Sequence, residues 1–260
     1  KMLKVSNLSF SYNKNNSVLD DISFELPKGK IGIVLGKNGC GKTTLLKNIL
    51  GVLSPSSGTI KFDNIDLINI KRSKRVKIVS YVPQDFIFGD LTVFDTILTG
   101  RISYFNYFCR YEDEQVVKEI IQELKMEHLS NTNVNNLSGG EKQKVAIARA
   151  LVSSPSLIIF DEPTGSLDIE NEYLILNEAK RLAKNKNITI LIAIHDINLA
   201  LKYGDYFYLI KDKKIKYAGD DSIINEENIK DIFNINVSIN KINDKKIMIV
   251  DGEWIWKRIK

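Results

Sequence analysis

Cysteine is scarce in this chain of 260 residues: only Cys40 and Cys109 are present. A pair of isolated thiols builds no disulfide framework and offers no metal-ligand spacing, and so low a count suits a reducing compartment. Long apolar runs are missing too. The longest, Leu157 to Phe160 and Ile188 to Ile194, fall far short of the ~18 residues that a membrane span needs. No signal-peptide pattern opens the chain, so a cytosolic location is expected. Nor is there a concentrated charge of one sign. The formal net charge of +5, from 37 basic and 32 acidic residues, is too diffuse to argue for nucleic acid, and no nucleic-acid partner is expected. The remaining composition, 43% hydrophobic and 27% charged, is that of an ordinary globular protein. A chain of this length buries one large core with room for a small satellite, so one composite α/β unit is expected.

The most informative stretch is Gly36-Lys37-Asn38-Gly39-Cys40-Gly41-Lys42-Thr43, followed by Thr44. It fills the G-x-x-x-x-G-K-[ST] phosphate-loop pattern with no mismatch. Ile31 to Leu35 ahead of it reads as a buried strand, and Thr44 to Leu50 behind it reads as a helix that Gly51 can cap. A Gly-rich turn beside a surface lysine would need neither flank. The glycines let the backbone wrap a phosphate with its N–H groups, and the helix N-terminus adds partial positive charge. Lys42 is then placed to reach the β- and γ-phosphates of a nucleoside triphosphate, and the Thr43 hydroxyl to coordinate Mg²⁺.

Around this loop the pattern changes along the chain. Leu8, Phe10 and Tyr12, then Ile22, Phe24 and Leu26, alternate with polar residues on either side of an Asn-rich loop, so antiparallel strands are expected, with Gly58 to Phe62 as a further one. Tyr12 ends its strand at that loop. Its ring is placed either to stack on a base or to lie half-buried in the sheet, and position alone favours the second. The basic residues Lys71, Arg72, Lys74, Arg75 and Lys77 read as a solvated face. Ile78 to Val82 reads as a strand from whose end Gln84 emerges, where open α/β sheets place ligand contacts.

Thr92-Val93-Phe94-Asp95 matches a capping box that opens a helix toward Gly100, and Val116, Val117, Ile120, Ile121 and Leu124 share one helical face. Residues 86–152 therefore read as a helical insertion. Cys109 and His128 lie in or near its loops and take no role. Near its end Ser138 is placed as an N-cap, with Gly139 and Gly140 exposing backbone N–H groups before a helix over Lys142 to Leu151, a second potential anion site. Leu157-Ile158-Ile159-Phe160-Asp161-Glu162 is an apolar strand ending in two carboxylates, suited to one metal-associated acid and one that activates water. Thr189 to Ile194 is another buried strand and ends in His195, which by itself reads as structural. Ile247 to Trp256 reads as a hairpin turning at Asp251-Gly252.

In their order, the phosphate loop, Gln84, Leu137-Ser138-Gly139-Gly140-Glu141, the carboxylate pair, the Gly165-Ser166-Leu167-Asp168 turn and His195 resemble the nucleotide-binding subunit of an ATP-binding cassette transporter. The likeness runs from Leu3 to about Phe233, and the Leu-Ser-Gly-Gly element separates this family from other phosphate-loop proteins. It implies a RecA-like phosphate-loop core of the α/β class, over 1–85 and 153–220, with an antiparallel β-subdomain. The helical subdomain is 86–152 and a C-terminal extension covers 221–260.

It further implies an Mg²⁺-dependent ATPase that binds ATP through Gly36 to Thr44 and stacks adenine on Tyr12. Glu162 becomes the general base, Asp161 the magnesium-associated carboxylate, and Gln84 a contact to the metal and the attacking water. His195 senses the γ-phosphate, Ser138 to Gly140 clamp the ATP of a second copy, and Asp168 lies at the dimer interface. The implied partners are a second copy in an ATP-sandwich homodimer, transmembrane permease subunits and, indirectly, a substrate-binding protein, at the cytoplasmic face of a membrane.

Two positions depart from the commonest family pattern: Glu141 stands where glutamine is more usual, and Gly165-Ser166 where Ser-Ala is frequent. Leu91-Thr92-Val93 leading to Thr99-Gly100-Arg101, with Cys40 in the loop, is similar to importers of ferric siderophores, haem and cobalamin, with zinc or manganese importers as near competitors. Chromosome-type relatives would carry sustained heptads between Lys42 and Ser138, which this interval lacks. Translation-type relatives carry two cassettes, and this chain carries one.

Overall fold

The computed structural model describes residues 2–13, 16–83, 89–105, 108–163, 169–243 and 245–251. Its contacts divide into two units, Lys1–Ile68 with Leu191–Lys260, and Asn69–Ile190.

The first unit opens with β1 (Met2–Ser11) and β2 (Ser17–Pro27), antiparallel, with Leu3 opposite Leu26, Val5 opposite Phe24 and Leu8 opposite Ile22. These apolar residues are buried and alternate with exposed neighbours, which is the period-2 signal expressed as a one-sided sheet. β3 (Ile31–Gly36) is buried throughout and feeds the phosphate loop into α1 (Lys42–Leu50), which ends at Gly51 in the left-handed conformation (φ 73°). β4 (Ser57–Phe62) and β5 (Ile65–Asp66) complete an antiparallel sheet in the order β2-β1-β4-β5.

In the second unit, α2 (Arg72–Arg75) carries the basic cluster and buries nothing. β6 (Val79–Val82) precedes α3 (Val93–Leu98), whose Thr92 cap accepts the Asp95 N–H at 3.1 Å. The chain tightens into a 3₁₀ turn over Thr99–Tyr104 instead of continuing the α-helix. α4 (Tyr111–Glu123) buries Val117, Ile120 and Ile121, while Val116 and Leu124 stay half-buried at the edge of that stripe. α5 (Gly139–Leu151) starts at Gly139, earlier than the expected Lys142, because the Ser138 cap lets both glycines enter the first turn. β7 (Leu157–Asp161) is wholly buried and pairs in parallel with β6, Val82 opposite Phe160. α6 (Ile169–Lys186) follows, and β8 (Thr189–Ala193) lies beside β7 in the order β8-β7-β6.

The division between units falls within β8, whose continuation Ile194 donates its N–H to Val34 O at 3.3 Å in the first unit. That unit resumes with α7 (Ile197–Tyr203), capped by Asp196, and with β9 (Tyr206–Lys211), which pairs in parallel with β3, Gly36 opposite Ile210. β10 (Lys214–Gly219) returns antiparallel through Asp212 and Lys213, both at positive φ (49° and 69°), as a two-residue hairpin turn requires. α8 (Glu226–Phe233) ends at Asn234, and β11 (Val237–Ile242) and β12 (Lys245–Val250) form a hairpin. Ile247 to Val250 thus form the returning strand of a hairpin with Val237–Ile242. The expected reversal at Asp251-Gly252 reaches outside the described residues.

Candidate functional site

The phosphate loop is shaped by its glycines and its lysine. Gly41 has φ 106°, where a side chain is strained, and an added Cβ would stand 2.9 Å from Leu19 Cδ2. α1 begins at this glycine, which supplies no capping side chain, the kind of helix start that suits an anion. Lys42 is 5% exposed, and its ammonium donates to Gly36 O at 3.0 Å and Lys37 O at 3.4 Å. That holds the cation over the mouth of the loop. Cys40 donates its N–H to Lys37 O at 3.2 Å and is half-buried, while Lys37, Asn38 and Gly39 are exposed. A groove of about 400 Å³ adjoins the loop, lined by Asn38 and Cys40 on one side and by Val18 and Lys213 on the other.

The same unit holds Tyr12 and His195. Tyr12 stands just past the end of β1, edge-on to Phe10 at 4.9 Å between ring centroids, and is 56% exposed. That exposure leaves a ring face accessible and overrides the half-buried placement that position alone favours. His195 is exposed one residue past Ile194, whose N–H bonds to the strand that feeds the loop. The carboxyl ends of parallel strands, where ligands of open α/β sheets bind, therefore carry both the loop and the histidine in this unit.

In the second unit β7 delivers Asp161, 6% exposed, and Glu162 just beyond it. Tyr81 on β6 donates its hydroxyl to Asp161 Oδ2 at 3.4 Å. Burial, reinforced by the Asp161 carboxylate, pushes the tyrosine up to about 12, so it stays a proton donor at neutral pH. Glu162 sits at φ 46°, a left-handed backbone uncommon for glutamate, which turns the chain sharply into Pro163.

The start of α5 is a complete capping box. Ser138 donates both its N–H (2.8 Å) and its hydroxyl (2.7 Å) to Glu141 Oε2, and Ser138 Oγ accepts the Glu141 N–H. These bonds hold the Glu141 carboxyl below the usual range. Ser138 and Gly139 are exposed, whereas Gly140 is buried against Asn171, with an added Cβ standing 1.8 Å from Asn171 Oδ1.

Gln84 and Asp168, with the rest of the Gly165 to Asp168 turn, lie outside the described residues. Gln143, Asn171 and the buried ion pair between Arg101 and Asp113 stand outside the sequence patterns that mark the site. Arg101 Nε donates to Asp113 Oδ1 at 2.6 Å and Nη1 to Val152 O at 2.8 Å. A signal existed for two of these: Gln143 shares a helical face with Gly140, Ala146 and Ile147, and Asp113 shares one with Val117 and Ile120. A polar residue that interrupts an apolar stripe has a buried partner to meet.

Known proteins resemble this chain. The family model described as ABC transporter matches residues 19–165. An uncharacterized ABC transporter ATP-binding protein of Methanocaldococcus jannaschii is 37% identical over 96% of this chain and 98% of its own. A probable iron chelatin transport ATP-binding protein of Helicobacter pylori is 36% identical over 82% of this chain and 85% of its own. A molybdate import ATP-binding protein of Haemophilus influenzae is 33% identical over 90% and 89%. Among solved structures, an ABC transporter of metal-chelate type in an inward-facing conformation superposes with TM-score 0.84 at 30% identity, covering 98% of this chain and 99% of that one. A phosphate loop alone would admit many families. One that continues into the Leu137 to Glu141 element and matches such proteins along nearly the whole chain admits one: the chain belongs to the ABC transporter family, as its ATP-binding ATPase.

Proposed function

We propose that this ATPase powers import of an iron complex, such as a ferric siderophore or haem, or of cobalamin, through a membrane permease. It does so as a head-to-tail homodimer at the cytoplasmic face. The observation that carries the dimer is the start of α5: a chain with one phosphate loop presents a second anion-binding helix terminus at Ser138 and Gly139. A second copy gives that terminus a phosphate. Each ATP then lies between Lys42 of one copy and Ser138 to Gly140 of the other, so binding energy closes the dimer and hydrolysis opens it.

In this reading Tyr12 stacks on adenine, the Gly36 to Thr44 backbone wraps the phosphates, and Glu162 takes the proton from the attacking water. His195 and Gln84 orient the γ-phosphate and that water, and Asp168 meets the second copy. Mg²⁺ suits the donor set, because the Thr43 hydroxyl and the Asp161 carboxylate are hard oxygen ligands. When bound, the ion neutralises phosphate charge. The core over 1–85 and 153–220 holds ATP, the helical segment 86–152 carries the clamp, and 221–260 is an extension. No helix of the described residues is long and apolar enough to cross a membrane, so in this reading attachment comes through permease subunits, with a substrate-binding protein acting indirectly.

The iron assignment is supported by the Leu91 to Arg101 segment and by the relative named for iron chelatin. The molybdate relative favours a second reading, an importer of another metal species such as molybdate, zinc or manganese.

Glu162→Gln tests the site and the dimer together. It keeps the shape of the base and removes its basicity, so turnover falls by ~100-fold or more, while ATP still binds and a dimer accumulates in light scattering with Mg-ATP. Adding Ser138→Arg puts bulk and positive charge into the clamp and returns that protein to monomer. A Glu162→Gln protein with wild-type turnover overturns the assignment of the base.

A further inference from the structure

Gln143 lies in α5, five positions past the Ser138 cap, and is 1% exposed. Its side-chain N–H donates to Pro163 O at 2.9 Å, and its Oε1 has no hydrogen-bond partner among the described residues. The geometry is uneconomical for a packing residue. A methionine or leucine would fill the space without an unsatisfied acceptor, so the position favours the one thing glutamine adds, a donor aimed at that carbonyl.

The carbonyl matters because of what precedes it. Glu162 is held at φ 46° immediately before Pro163, whose ring restricts its own φ. Pro163 O belongs to the next peptide, so anchoring it holds the carbonyl end of a residue whose φ the ring already restricts; this fixes where Pro163 sits and limits how far the Glu162–Pro163 link, and Glu162 with it, can shift. At its other end Gln143 is one turn from Gly139 and Gly140, and Gly140 packs directly on Asn171 near the start of α6. One buried hydrogen bond thus joins the helix that carries the clamp to the residue after the base.

We infer that Gln143 is a positioning residue that ties the Ser138 to Gly140 clamp to the placement of Glu162. This rests on the sandwich reading, in which the clamp of a chain grips the ATP of the second copy while its Glu162 acts on its own. Closure of the clamp on one nucleotide then seats the base at the other, through a single amide.

Gln143→Met and Gln143→Leu remove the donor and keep the site apolar. Measured beside Glu162→Gln in otherwise unchanged protein, both lower kcat by at least tenfold, leave KM for ATP within twofold, and keep the wild-type melting temperature. With Mg-ATP both accumulate dimer, because a clamp that closes over a displaced base traps ATP. Combining Gln143→Met with Glu162→Gln slows turnover no further than Glu162→Gln alone. Wild-type kcat in either folded variant overturns the inference, as does a variant that is slow yet monomeric, which would confine Gln143 to supporting the clamp.

Should both variants fail to fold, amide exchange in the Glu162→Gln protein decides. Mg-ATP slows exchange at Gly139 to Glu141 and at residue 162 together, and protection of the clamp alone overturns the coupling. Failure of the sandwich itself reads out separately, as a Glu162→Gln protein that turns over normally or never dimerises.

Discussion

Cys40 shows how much one residue position can report. Its thiol is half-buried in the phosphate loop, beside the groove lined by Asn38 and Val18, whereas Cys109 is exposed in the helical unit. Desolvation and the carboxylates of Asp113 and Glu114 hold the Cys109 thiol above its ordinary range, which lowers its thiolate fraction. Alkylation at Cys40 adds bulk where the triphosphate is wrapped, so a maleimide abolishes most of the ATPase activity and pre-bound ATP protects against it. Cys40→Ser keeps its activity under the same treatment. Inhibition that persists in Cys40→Ser would move the sensitive site to Cys109. At this scale the sequence was highly legible: Lys42, Thr43, Asp161, Glu162 and Ser138 stand at element ends that short patterns mark. Gln143 and Asp113 were hidden because their chemistry depends on partners that no local pattern names.

Among the elements, α5 carries the most information. Its capping box replaces the more usual glutamine by Glu141, and the Ser138 hydroxyl and N–H hold that carboxyl low. A depressed folded-state value means that the cap stabilises α5 fully above the unfolded glutamate range, ~4.3, and that this contribution is lost as pH falls through the lower folded value. Wild-type protein therefore loses melting temperature on acidification more steeply than Glu141→Gln below about pH 4, and the two differ most near neutrality. Parallel melting curves across that range would show that the charge on Glu141 does not support the helix. The 3₁₀ turn after α3 was not legible, since it follows from tertiary contacts: an added Cβ on Gly100 would stand 2.2 Å from Arg149 O, and Arg101 is drawn to Asp113. β12 is likewise held by contacts that its own stretch does not name: it is registered on β11, and Asn198 bonds both the N–H and the carbonyl of Met248.

At the scale of the whole molecule the proposed function makes a prediction about cargo. Removing the protein from its native cell impairs uptake of one ferric chelate, haem or cobalamin, measured with labelled cargo, and restoring it recovers uptake. Normal uptake of all of these beside a defect in molybdate, zinc or manganese would favour the second reading.

The sequence by itself determined the family, because the phosphate-loop and helix-cap patterns that mark it lie at fixed local spacing and are read within a few residues. It also determined the buried strands β3, β7 and β8, whose continuous apolar runs admit no solvated face. Only the tertiary structure decided which strands adjoin, such as β3 with β9 far along the chain, and which buried polar side chains meet, such as Gln143 with Pro163 O. Those pairings are chosen by packing and by the need to satisfy desolvated donors, and both depend on neighbours distant in sequence.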